Sequence, residues 1–160
     1  MKIYFASDHA GFALKQELLE YVQDELQCEV EDCGAYFLDE TDDYPDFVKL
    51  AAEHVSKNPA DSKAIILGAS GQGEAIVANR FPGVRAVVFY GDSGQKQTDV
   101  DGSELNLLTS SRIHNDANVL SLGARFLTIE VAKASVREWL STDFGGNDRH
   151  VRRIKKIDSN

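Results

Sequence analysis

The stretch Ile65-Ile66-Leu67-Gly68-Ala69-Ser70-Gly71-Gln72-Gly73-Glu74 carries the first decision about the fold. Three apolar residues without polar alternation suit a strand buried on both faces, and strands of that kind belong to parallel sheets covered by helices. The glycines then turn the chain into a helix whose first turn holds Glu74. The same logic extends outward to apolar runs at Ile3–Ala6, Ala86–Phe89 and Val119–Leu122, with a weaker one at Glu29–Asp32. Between them lie helical patterns. Leu14, Leu18, Tyr21, Val22 and Leu26 form one apolar stripe, and Ile129, Ala132, Val136, Trp139 and Leu140 form another behind a Thr128 cap. Pro45 suits the first residue of a helix running to about Ser56. Gly145-Gly146-Asn147 break the chain before a last amphipathic helix with Val151, Ile154 and Ile157 inward.

This alternation predicts an α/β fold, a three-layer α/β/α sandwich around a mostly parallel five-stranded doubly wound sheet, Rossmann-like in outline. The chain's 160 residues suit one domain over 1–160, with no repeat or linker, and 42% hydrophobic residues suffice for a core. Seventeen Lys and Arg against 26 Asp and Glu give a net charge of −9, which argues against nucleic acid or an anionic membrane as partner. The balance reverses locally, because residues 148–160 hold five basic side chains and two acidic ones. Conversely, Glu17–Asp46 contains twelve acids and no Lys or Arg, most simply a solvated face. Cys28 and Cys33 have neither redox nor zinc spacing, and no secretory or membrane-spanning stretch is evident, so a reduced, cytoplasmic protein is expected.

In such a sheet, ligands bind beyond the carboxyl ends of the strands. Asp8 and His9 follow the first strand; Asp8 is placed to fix the histidine tautomer or to cap the next helix. The glycine loop offers backbone N–H groups at a helix N-terminus, a cradle for an oxyanion or phosphate, yet its spacing matches neither GxGxxG nor a P-loop. Glu74 reads either as a first-turn acid favoured by the helix dipole or as a base projecting into the crevice. Gly123-Ala124-Arg125 follows the last strand. His114 and Asn115 lie in the polar stretch Arg112–Asn118, which otherwise reads as surface loop, while His54 and His150 read as solvated. Arg149 and Arg153, four apart, share a helix face and suit a phosphate clamp or a solvated cationic end. No metal-ligand spacing and no GxSxG elbow occur, so neither metal nor cofactor is expected.

Five blocks in order, Ser7-Asp8-His9-Ala10-Gly11-Phe12, Asp43-Tyr44-Pro45-Asp46, Gly71-Gln72-Gly73-Glu74 with Ala78-Asn79-Arg80, His114-Asn115-Asp116-Ala117-Asn118 and Arg149-His150-Val151-Arg152-Arg153, resemble the type B ribose-5-phosphate isomerases, a family that includes the galactose-6-phosphate isomerase subunits. The resemblance implies metal-free aldose–ketose isomerisation of a phosphorylated sugar through a cis-enediolate, in a homodimer or homotetramer with active sites at subunit interfaces and the 148–157 helix packing on a partner subunit. Position by position, it implies ring opening by His114 with Asn115 beside it and hydroxyl contacts from Asp8 and Tyr44. Ser70, Gly71 and Gly73 would hold the enediolate oxygen, and His9, Arg125, Arg149 and Arg153 the phosphate. One branch carries a catalytic cysteine ahead of the glycine loop. Gly68 stands there in this chain, which is similar instead to the branch with a glutamate base at Glu74. The segment Gly91–Glu104 is longer and more polar than the family implies, and resembles an insertion bearing on which sugar fits.

Ribose 5-phosphate is therefore the first substrate expected. A six-carbon substrate, allose 6-phosphate or galactose 6-phosphate, is the near alternative, and a non-catalytic sugar-phosphate binding module the distant one.

Overall fold

The computed structural model describes residues 1–159. Five parallel strands, β1 (Lys2–Ser7), β2 (Glu29–Asp32), β3 (Ser62–Gly68), β4 (Ala86–Phe89) and β7 (Val119–Gly123), form one sheet in the spatial order β2-β1-β3-β7-β4. Alternation along them feeds two cores. Ile3, Phe5, Ile65, Leu67, Leu120 and Leu122 face one side, under Leu18, Val22, Val136 and Trp139. Ala6, Ala64, Ile66 and Val119 face the other, under Val48, Ala51, Ala52 and Val55. Each central strand is thus covered twice, which is why its sequence shows no polar alternation.

The helices are α1 (Phe12–Glu20), α2 (Tyr44–Lys57), α3 (Gln72–Ala78), α4 (Leu107–Asn115), α5 (Ile129–Ser141) and α6 (Asp148–Ile157). A single π-helical turn, Tyr21–Glu25, prolongs α1. Thr128 caps α5, accepting from the Val131 N–H, and Pro45 lies in the first turn of α2. Helix α4 corrects the loop reading for Arg112–Asn115, while 116–118 are loop as expected. Asn106 accepts from the Thr109 N–H at 2.9 Å, and the helix runs through His114 to Asn115. Its inward face includes Ser111 and Arg112. Arg112 is buried because Thr142 O, Ala117 O and the Asp116 carboxylate satisfy its guanidinium.

The acidic Glu17–Asp46 run is also more than a solvated face, since Asp32 accepts from the fully buried Lys15 Nζ. The long segment before α4 folds as a two-stranded antiparallel hairpin, β5 (Gln97–Thr98) with β6 (Glu104–Leu105). Helix α6 lies against α4 of its own chain, where the His150 ring stacks on His114 with centroids 4.3 Å apart. His150 is consequently buried, 4% exposed, and not solvated as its polar neighbours suggest. Among the described residues no helix is long and apolar enough to cross a membrane.

Candidate active site

Strands β1, β3 and β7 are neighbours, so the loops leaving their carboxyl ends converge. The turn after β7 is tied to the glycine loop: Ala124 N–H donates to Gly68 O at 2.8 Å and Arg125 N–H to Ala69 O at 3.2 Å. Gly71 adopts φ +75, a left-handed conformation suited to glycine, and its carbonyl accepts from Ser121 Oγ at 2.6 Å. Ser70 Oγ accepts from the Gln72 N–H at 3.4 Å at the start of α3.

Glu74 follows in the first turn and is 4% exposed. Burial raises its carboxyl above the ordinary range; the hydrogen bond from its own backbone N–H opposes this, and the Asp8 charge adds to it. Desolvation thus outweighs the helix terminus, giving a carboxylate closer in basicity to what a carbon acid demands. Two glycines make room for this arrangement. A Cβ at Gly68 would land on the Glu74 carboxyl group itself, so the residue that could have carried a thiol leaves space for the acid. A Cβ at Gly73 would meet the Tyr44 hydroxyl at 2.6 Å, which locates that phenol against the loop.

Asp8 is buried and caps the turn into α1, accepting from Ala10 N–H at 3.0 Å and Gly11 N–H at 3.3 Å. It therefore does not hold His9. Asp42 does, with its Oδ1 2.7 Å from His9 Nδ1 and 2.9 Å from the His9 backbone N. That hydrogen bond raises His9 above the ordinary imidazole range, against burial and the nearby Arg125 charge. His9 and Arg125 thus lie near each other beside the crevice. Asp42 is the His9 partner that sequence reasoning missed, because the two lie 33 positions apart and no local pattern links them.

His114, Asn115, Arg149 and Arg153 gather elsewhere. They line a cavity of about 410 Å³ between the end of α4, helix α6 and the β5–β6 hairpin. Since α4 leads through Asp116–Asn118 into the first residue of β7, this cavity lies at the edge where the strands begin. Glu74, Asp8, Tyr44, His9 and Arg125 lie where the strands end, a strand length away; β7 alone, with five residues, spans ~16 Å at ~3.3 Å per residue. One chain therefore carries two clusters, one around Glu74 and a histidine–arginine cluster around His114, at opposite ends of the strands of one sheet.

A family model described as Ribose/Galactose Isomerase matches residues 3–157. Ribose-5-phosphate isomerase B of Mycolicibacterium paratuberculosis is 37% identical over 154 residues, covering 96% of this chain and 87% of that one. A D-erythrulose-4-phosphate isomerase 2 of Mycolicibacterium smegmatis is 34% identical over 158 residues, covering 98% and 95%. Among solved structures, ribose-5-phosphate isomerase B of Mycoplasma genitalium with bound ribulose-5-phosphate superposes with a TM-score of 0.86 at 34% identity, covering 99% of this chain and 94% of that one. Matched almost end to end in sequence and in fold, the chain belongs to the ribose/galactose isomerase family.

Proposed function

We propose that the protein interconverts the aldose and ketose forms of a phosphorylated sugar, with ribose 5-phosphate and ribulose 5-phosphate the first pair to try. The single observation that carries this reading is Glu74, a carboxylate buried at the mouth of a glycine loop with its proton affinity raised by desolvation. In the aldose-to-ketose direction Glu74 takes the C2 proton and returns it to C1, while the C2 hydroxyl proton passes to the C1 oxygen and C2 becomes the carbonyl, through an enediolate held by N–H groups of Ser70, Gly71 and Gly73. Tyr44 and Asp8 meet the hydroxyls. His9 and Arg125 attract the phosphate from one side, and His114, Asn115, Arg149 and Arg153 of a second copy complete the pocket, with His114 opening the sugar ring. A homodimer whose two-fold axis brings each proton-transfer half against the partner's histidine–arginine half would contain two whole sites.

The hairpin beside His114 favours a second reading at the level of substrate. Its residues Gln97–Val100 form a wall of the 410 Å³ cavity, and that wall bears on the length of sugar accepted. The test is purified protein against four-, five- and six-carbon aldose phosphates, each with and without EDTA. Chelator-insensitive isomerisation is the expected result. Glu74→Gln lowers kcat at least ~100-fold with KM little changed, and Arg153→Ala raises KM for the phosphorylated sugar. Near-normal turnover by Glu74→Gln overturns the assignment of the base; binding without turnover across the panel leaves a sugar-phosphate binding module.

A further inference from the structure

The hairpin inserted between β4 and α4 brings a carboxylate to His114. Asp99 directly follows β5, and its Oδ2 lies 3.1 Å from His114 Nε2, with the two side chains 15% and 17% exposed. Nε2 is buried and has no well-aligned hydrogen bond, so its contact with Asp99 is chiefly electrostatic. On the other edge of the ring, Nδ1 is flanked by Gln97 Nε2 at 3.4 Å and Ser110 Oγ at 3.5 Å. The remaining neighbours are cationic or aromatic: His150 stacks on the ring from α6, and Arg149 and Arg153 from the same helix line the same cavity. Asp99 is the one negative charge among these groups. The Val100 N–H, donating to Oδ1 at 2.7 Å, together with His114, holds its carboxyl below the ordinary range, so it is ionised throughout neutral pH.

Asp99, His114 and His150 also suggest a metal site, since their ligand atoms lie within 4.8 Å of one another. The ring geometry speaks against it. An ion bound by both histidines must lie in both ring planes, and planes only 8° apart do not meet between the rings.

We propose that Asp99, supplied by the hairpin, is a positioning residue for His114 in opening the sugar ring. The proposal rests on the isomerase reading above. In a furanose, the bond between C1 and the ring oxygen breaks while the C1 hydroxyl loses its proton to water and becomes the carbonyl. The ring oxygen takes a proton from His114, which regains one from water. Asp99, against the Nε2 edge of a ring that stacks on His150, fixes the orientation of His114 beside the cavity that Arg149 and Arg153 also line.

The ketose supplies a readout that a merely structural role would not move. Ribulose 5-phosphate cannot close a five-membered ring, because the oxygen that would close it carries the phosphate, so its C1 proton exchange with D2O through the enediolate bypasses ring opening. Asp99→Asn is expected to lower kcat/KM for ribose 5-phosphate about tenfold or more while ketose exchange stays within about twofold of wild type. Asp99→Glu is expected to recover part of the loss. Glu74→Gln abolishes both readouts and serves as the reference for a failed proton-transfer half. Equal loss of both readouts in Asp99→Asn, or no loss in either, overturns the proposal while leaving the isomerase reading intact. A wild-type chain that neither isomerises the aldose nor exchanges the ketose proton removes both.

Discussion

Glu74 is held in a place where its charge is costly, and the cost has a measurable sign. Its carboxyl is raised above 4.5 chiefly by burial, so folding favours the protonated form. Relative to a neutral side chain, its contribution to stability is fully present below the unfolded value and is lost as pH rises through the folded one. Glu74→Gln keeps the shape and removes the charge. The expected outcome, followed by thermal melting across pH 3.5–8, is a Tm above that of wild type near pH 8, with the gain vanishing near pH 3.5, where both forms are neutral. Activity and stability then move in opposite directions at one residue, as expected where function holds a charge away from water. A Tm difference independent of pH would mean that the carboxylate is not paying this electrostatic penalty.

Elements whose burial is apolar were legible in the sequence, and those whose burial is polar were not. The β3 run and the α5 stripe announce themselves because Ile65–Leu67, Val136 and Trp139 are buried against other apolar groups. Helix α4 is missed because two of its inward residues, Ser111 and Arg112, break the stripe, and only the folded chain supplies the carbonyls that satisfy the arginine. The same reason hides His150, buried by stacking, and Asp42, joined to His9 across 33 positions. The start of α4 has a local signal nonetheless. Asn106 Oδ1 caps the helix through Thr109 N–H, and its Nδ2 donates to Glu138 Oε1 at 2.7 Å on α5. Asn106→Ala is expected to cost about 1 kcal/mol, read by urea unfolding as a lower midpoint with an unchanged slope. In a chain of this size that corresponds to about 2–4 °C in Tm.

At the scale of the whole molecule, the placement of the half-sites makes a prediction that a self-contained site does not. Glu74, buried at the strand ends, and His114, lining the cavity at the strand starts, lie apart in one chain. If each working site joins Glu74 of one copy to His114 of another, Glu74→Gln and His114→Asn homodimers are both inactive, each with two defective sites. A mixed dimer differs: one of its sites carries both substitutions and the other carries neither. Random re-assortment makes half the dimers mixed, each with one whole site of two, so the mixture should recover about one quarter of wild-type activity from two inactive parents. The measurement is to mix the purified variants under mild dissociating conditions, allow subunits to exchange, and assay ribose 5-phosphate isomerisation over time. Recovery that rises with exchange and levels off near that fraction supports the shared site. Activity that never exceeds the sum of the two parents, in a mixture shown by differently tagged subunits to contain mixed dimers, would place both residues in a site made by a single chain.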